Sequence, residues 1–233
     1  MVRDGIVKVA ALYDVHGNLP ALDAVLAEAR DADLFVVGGD AIGGAFPRET
    51  VERLQGLGGR ARWLRGNAER ELIEQPPPRE GGPPPGDGAE QLHALGEELA
   101  RWLYALPERL ELDVDGVGRV LFCHAVPQND LDIVTPLTPD ERLAWILDGV
   151  EADVVVAGHT HMQEDRTVAG IRWVNAGSVG MPYEDSDGAF WALLGDGVEL
   201  RRTDYDRGAL GGYEYPRATR QEAAAYFETL VGD

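Results

Sequence analysis

Five short stretches set imidazole, carboxylate or carboxamide side chains directly after apolar runs: LYDVHGN, FVVGGD, RWLRGN, VLFCH and VVVAGHTH. They carry Asp14, His16, Asp40, Asn67, His124, His159 and His161. Of the 5 histidines in the chain, only His93 lies outside these stretches. Imidazoles and carboxylates with one side-chain amide suit a borderline or hard divalent transition metal, and the single cysteine, Cys123, leaves no material for a thiolate zinc cluster. Each stretch alone also fits an ordinary polar turn. DVHGN, for example, fits a strand end at which Asn18 caps the next helix. Five such turns that between them hold all the histidines but one argue for a shared site.

A shared site needs elements that bring distant turns together. Valine- and leucine-rich runs at Ile6–Leu12, Leu34–Val37 and Ala61–Leu64 alternate with helical patterns at Pro20–Arg30, Pro47–Leu57 and Ala68–Glu74, the signature of βαβ units. The turns at the carboxyl ends of parallel strands line one crevice, so residues far apart in sequence converge there. Next comes QPPPREGGPPPGDG, whose prolines and glycines exclude regular structure and which reads as a solvated loop or a lid. A helix with Leu92, Leu95, Leu99, Trp102, Leu103 and Leu106 along one face follows it. Loop and helix together read as an insert over about residues 75–107. The second half is richer in strands, with extended runs joined at Asp115-Gly116, further runs at Val154–Ala157, Gln163–Val168 and Ile171–Asn175, and a hairpin turning at Gly195-Asp196-Gly197. Thr138 and Glu141 have the spacing of a capping box, and a last helix is expected over Thr219–Leu230.

With 233 residues, 44% of them hydrophobic, and no composition break, the chain reads as one α/β domain over residues 1–233. Its net charge of -20 repels long nucleic acids and anionic membrane surfaces. Neither a secretory leader pattern nor a membrane-spanning apolar run is present, so a cytoplasmic location is expected. The glycines of FVVGGDAIGG lack dinucleotide-loop spacing, and Asp40 at their centre repels a phosphate unless a cation intervenes. Oligomeric state has no signature in the sequence.

Taken in order, DVHGN, GGD, GNAE, CH and GHTH resemble the motifs of the calcineurin-like metallophosphoesterase family, most of all its small bacterial phosphodiesterases and their dinucleoside-tetraphosphatase-like relatives. NAGSVGMP is similar to that family's turn after its last site strands, and the resemblance runs from Val7 to about Tyr205. It implies an α/β fold, a four-layer α-β-β-α sandwich of two mixed sheets with helices outside. It also implies that Asp14, His16 and His161 hold one divalent metal, that Asn67, His124 and His159 hold a second, and that Asp40 bridges them. The implied activity is hydrolysis of a small or nucleotide-like phosphate ester by hydroxide held between the metals. Manganese is the first expectation, and iron, zinc, nickel and cobalt suit the same donors.

A phosphodiesterase is expected first. Phosphomonoesterase, protein phosphatase and dinucleoside tetraphosphate hydrolase are the alternatives among enzymes, and a catalytically idle metal-bound scaffold is the alternative of another class. The family's asparagine motif often continues with a histidine that protonates the leaving group. Here Ala68 stands there, which favours diesters with acidic leaving groups. Arg65 and His93 are candidate substrate contacts. Arg65 fits a phosphate contact and a structural ion pair equally, whereas His93 more readily fits an ordinary exposed histidine.

Overall fold

The computed structural model describes residues 8–76 and 88–231. Its first half runs β1 (Val9–Leu12), α1 (Leu19–Glu28), β2 (Leu34–Val37), α2 (Pro47–Gln55), β3 (Ala61–Trp63), α3 (Asn67–Glu74), α4 (Gly88–Leu95) and α5 (Glu97–Tyr104). Its second half runs β4 (Arg109–Val114), β5 (Gly118–Cys123), α6 (Asp140–Ile146), β6 (Val154–Ala157), β7 (Glu164–Val168), β8 (Ile171–Asn175), β9 (Ala189–Leu194), β10 (Val198–Thr203) and α7 (Arg220–Thr229). Ile6, Val7 and all but the first two residues and the last residue of the proline-rich stretch lie outside the described residues.

The strands form two five-stranded sheets, ordered β10-β9-β1-β2-β3 and β4-β5-β6-β8-β7. In the first, β1, β2 and β3 are parallel while β9 and β10 run against them. In the second, β5, β6 and β8 are parallel between the antiparallel edges β4 and β7. Both sheets are therefore mixed.

The alternation of side chains along the strands sorts the core into three apolar layers. Val9, Ala11, Leu34 and Val36 of the first sheet meet Val120, Phe122, Val154 and Val156 of the second. On the far side of the first sheet, Ala10, Leu12, Phe35 and Val37 pack with Leu22 and Val25 of α1, Val51 and Leu54 of α2, and Leu103 of α5. On the far side of the second, Leu121, Val155 and Trp173 pack with Leu143 and Ile146 of α6. Three interlayer cores require four layers, and the order is helix, sheet, sheet, helix. Because β1, β2 and β6 are covered on both faces, their residues are apolar without a polar alternate, as parallel strands require.

Two local expectations need correction. The single helix expected after the proline-rich stretch is two helices, because Gly96 adopts a φ of 75° between α4 and α5. That left-handed conformation cannot continue a right-handed helix. Nor does Thr138 cap α6: Pro139 occupies the N-cap position, and the Thr138 hydroxyl instead donates to Glu228 Oε1 of α7. Among the described residues, no helix is long and apolar enough to cross a membrane.

Candidate metal centre

Every one of the five turns leaves the carboxyl end of a parallel strand. Asp14 and His16 follow β1, Asp40 follows β2, Asn67 opens α3 after β3, His124 follows β5, and His159 and His161 follow β6. The first sheet thus contributes Asp14, His16, Asp40 and Asn67, and the second contributes His124, His159 and His161.

Five of these residues have left-handed backbones: φ is 52° at Asp14, 45° at His16, 52° at Asp40, 66° at His159 and 62° at His161. Such conformations each cost about 1–3 kcal/mol and persist only where the surroundings enforce them. Here the turns brace one another. His16 N–H donates to Asp40 O at 2.9 Å, Gly17 N–H to Ala41 O at 3.0 Å, and Gly180 N–H to Asp14 O at 3.1 Å. The Ser178 hydroxyl donates to the same Asp14 carbonyl at 2.7 Å, so the turn of NAGSVGMP supports the first ligand turn through a side chain. Asn18 caps α1 by accepting from Ala21 N–H, and its amide also donates to Gly180 O.

Two groups of side chains converge, Asp14 with His16 and His161, and Asp14 with Asp40 and His124, each with ligand atoms within 4.8 Å of one another. Asp14 Oδ1 is central to both: it lies 3.3 Å from His161 Nε2 and 3.9 Å from each Nε2 of His16 and His124. Asp40 reaches toward both groups with separate oxygens, Oδ1 at 3.5 Å from His124 Nε2 and Oδ2 at 3.9 Å from His16 Nε2. The amide oxygen of Asn67 is 3.1 Å from His124 Nε2. His159 sets its ring edge-on to His124 with centroids 5.2 Å apart, and its backbone N–H donates to Asp14 Oδ2 at 2.8 Å.

The hydrogen bonds behind the rings determine what points inward. His124 Nδ1 meets Gly38 O at 2.9 Å, His161 Nδ1 meets Met181 O at 2.7 Å, and the Ile42 carbonyl accepts from the His16 ring. Each neutral imidazole therefore spends its N–H outward and turns a lone pair to the centre. The result is a buried set of acceptors facing acceptors. His16 Nε2 and His161 Nε2 are 3.2 Å apart, and buried Asp14 Oδ1 has no hydrogen-bond partner among the described residues. Only protons or cations relieve such an arrangement, and imidazole, carboxylate and amide oxygen are the donors that divalent transition metals take. The residues fit a metal centre.

Among the protein's own charges, protons take that part. Burial pushes His16 down to about 3, with the charge of His161 adding to it. Burial pushes Asp40 up to about 7 against the pull of His124, with Glu69 and Asp14 adding to the rise. Burial opposes a charged His124, but Asp40 and Asp14 outweigh it and hold the ring up to about 9. Burial likewise opposes a charged Asp14, yet His161 first, then His124 and His16, hold its carboxyl well below the usual carboxylate range.

One buried residue with a part in the site stands inside the GNAE stretch but was not among the candidates. Glu69, 1% exposed, accepts from the backbone N–H groups of Asp40 and Gly66 at 2.9 Å and of Ala41 at 2.8 Å. It ties the Asp40 turn to the Asn67 turn. Its signals in the sequence are its place in GNAE and its place in the first turn of α3, which reads equally well as a routine helix start. Ala68 uses its backbone instead of a side chain, donating to Asp40 Oδ1 at 2.8 Å. Gly66 is required by close approach, since a Cβ there would lie 2.2 Å from Asp40 Oδ1.

Neither candidate substrate contact belongs to the two converging groups. The Arg65 guanidinium donates to Tyr104 O at 3.0 Å and to Glu108 Oε1 at 2.6 Å and stacks on the Tyr104 ring, so it makes the structural ion pair rather than facing the ligands. His93 is exposed on α4.

Comparison with known proteins finds the same fold. A hypothetical protein of Pyrococcus horikoshii OT3 is 23% identical with a TM-score of 0.74, over 88% of this chain and 91% of that one. A metallophosphoesterase from Sphaerobacter thermophilus is 23% identical with a TM-score of 0.69, over 97% and 100%. The phosphoesterase Yfce from E. coli is 19% identical with a TM-score of 0.51, over 84% and 100%. These likenesses extend to the fold. No curated protein matches the chain significantly. Residues 7–194, which include all five turns, match the calcineurin-like phosphoesterase superfamily domain, and the chain belongs to that superfamily.

Proposed function

We propose that this chain is a phosphoester hydrolase working with two divalent metals, and that its substrates are small or nucleotide-like phosphodiesters. The observation behind this reading is the buried cluster of imidazole and carboxylate groups centred on Asp14 Oδ1, which has no hydrogen-bond partner among the described residues. In it, Asp14, His16 and His161 are the donors for one metal, and Asn67, His124 and His159 for the other, with one oxygen of Asp40 turned toward each group. Two divalent cations at such a site supply an acidified water as nucleophile and neutralise charge on the phosphate. The chain's own residues do the rest: the outward Nδ1–H bonds of His124 and His161 fix ring orientation, and Glu69 keeps the Asp40 and Asn67 turns in register.

The preference for diesters rests on Ala68. At the position where a proton donor would serve a poor leaving group there is a methyl group, so the reaction suits leaving groups acidic enough to depart unprotonated. Manganese is the first choice of metal, with iron, zinc, nickel and cobalt compatible. A net charge of -20 disfavours long polyanions and anionic membranes and leaves small phosphate esters as the substrate class, in keeping with a cytoplasmic enzyme.

The test is hydrolysis of a bis-aryl phosphodiester beside the matching monoester, on metal-stripped protein refilled separately with manganese, zinc, nickel and iron. The expected result is metal-dependent turnover that favours the diester. Asp40→Asn is expected to reduce turnover to background while the circular dichroism spectrum stays native; undiminished turnover in that variant would overturn the site. Absence of turnover with every metal, in protein that binds two ions, would favour an idle metal-bound scaffold.

A further inference from the structure

The family domain covers residues 7–194, and the chain continues past it through β10 to α7. The segment after β10, residues 204–229, supplies none of the donors of the two converging groups, yet it reaches two of the three donor residues in one of them. His16 is reached directly. The Tyr215 hydroxyl donates to His16 O at 2.9 Å and accepts from Ala45 N–H at 3.2 Å, so it fastens the His16 turn to the loop that follows Asp40. Gly44 keeps that contact open, because a Cβ there would overlap both His16 O and the Tyr215 hydroxyl. In the same turn as His16, the Asn18 amide donates to the Tyr205 hydroxyl at 3.1 Å.

His161 is reached through Tyr183. Their rings are nearly parallel, with planes 13° apart and centroids separated by 5.3 Å, and Tyr183 N–H donates to His161 O at 3.1 Å. An offset stack of this kind holds the plane of the imidazole, while the bond from Nδ1 to Met181 O orients the ring within that plane. Helix α7 in turn holds Tyr183. Phe227 meets the Tyr183 ring with centroids 6.0 Å apart, Ala223 and Ala224 pack with Met162, and Arg220 donates to both oxygens of Glu184 at 3.1 Å. At the far end of the helix, Glu228 accepts from the hydroxyls of Thr135 and Thr138.

We infer, on the two-metal reading above, that the segment after β10 is a brace for the group formed by Asp14, His16 and His161. Tyr215 and Phe227 are its positioning residues, and they set how tightly that group holds its ion. Both donor residues that the brace reaches have left-handed backbones, which persist only where their surroundings enforce them. The second group has separate supports. Glu69 ties the Asp40 turn to the Asn67 turn, and Gly38 O orients the ring of His124.

Equilibrium dialysis of the metal-stripped protein against manganese, and separately against zinc, gives two dissociation constants to compare with those of Tyr215→Phe and Phe227→Ala. Tyr215→Phe removes one hydroxyl and keeps the ring, so it tests the brace without opening a cavity. In each variant one constant is expected to rise by roughly tenfold while the other stays unchanged. A His161→Ala background identifies the ion. With that donor gone, Phe227→Ala is expected to leave the constant of the remaining ion unaltered, because its effect runs through a ring no longer present. Constants unchanged in both single variants, or raised equally for both ions, overturn the brace and leave the two-metal reading standing. An effect of Phe227→Ala that persists undiminished in the His161→Ala protein does the same. Unmodified protein that takes up neither two manganese nor two zinc ions overturns the two-metal reading and the brace with it.

Discussion

Glu69 gives the residue scale its clearest case. One carboxylate accepts three backbone N–H groups, from Asp40, Ala41 and Gly66, and so holds the left-handed Asp40 against the turn that carries Asn67. In Glu69→Gln, an amide NH₂ replaces one of the two acceptor oxygens and faces backbone donors. Lost supporting contacts of this kind cost about 10–100-fold in metal affinity or activity. The variant is expected to lose affinity for one of two metals in a titration followed by metal analysis, with a parallel fall in turnover. Equal affinity for both metals and full turnover would mean that Glu69 only starts a helix. Asp14, His16, Asp40, Asn67, His124, His159 and His161 were legible because histidine is scarce and each follows an apolar run. The role of Glu69 was not, although the residue stands in GNAE, because that role depends on a loop 29 residues away in sequence.

At the element scale, the break between α4 and α5 lets Leu95 and Leu103 both reach the core beside α1 and α2. Gly96→Ala forces a Cβ into a φ of 75°, at a cost of about 1–2 kcal/mol. The new Cβ would also meet Arg48 Nη2 at 3.2 Å, an atom that donates to Leu95 O, so a contact cost adds to the backbone one. Urea unfolding is expected to shift to lower midpoint; a shift to higher midpoint would mean that one continuous helix spans residues 88–104 in solution. Strand β7 offers a pH signature. Burial pushes Glu164 up from its ordinary 4.5 to about 7, with Arg166 and Arg220 pulling the other way. Between those two values the folded chain keeps a proton that the unfolded chain releases, so stability declines as the pH rises through that window. Glu164→Gln should flatten that decline in chemical denaturation on either side of the window, and an identical decline in the variant would assign it elsewhere.

The whole molecule is two sheets whose turns meet at one cluster. Asp14, His16, Asp40 and Asn67 come from the first sheet and His124, His159 and His161 from the second, while the Tyr13 hydroxyl adds a bond across the interface to Val156 O at 2.9 Å. A metal bound by donors from both sheets stabilises the folded chain alone, since the unfolded chain does not hold the donors together. At a free metal concentration a hundredfold above Kd, one such site contributes about 2.7 kcal/mol. Chelation is therefore expected to lower the unfolding temperature, and added manganese or zinc to restore it in a concentration-dependent way. An unfolding temperature indifferent to chelator, in protein shown to have carried metal, would mean that the donors do not span the two sheets.

What the sequence determined by itself was local. Apolar runs of four, as in β2 and β6, predict strands buried on both faces; Asp115-Gly116 and Gly195-Asp196-Gly197 predict tight turns; polar residues at strand ends name the candidate ligands. Those properties depend on near neighbours along the chain, so they survive in a string of letters. Tertiary structure alone decided that β1 lies between β9 and β2 and that β6 pairs with β8 rather than β7, and with that pairing everything measured in ångströms. It decided that Asp14 belongs to both groups of donors, that Arg65 is spent on Tyr104 and Glu108, that Thr138 serves α7 instead of α6, and that Tyr215 and Tyr183 meet His16 and His161. The physical reason is common to all four. Each depends on a contact between segments distant in the chain, and such contacts are set by how sheets stack and helices cover them.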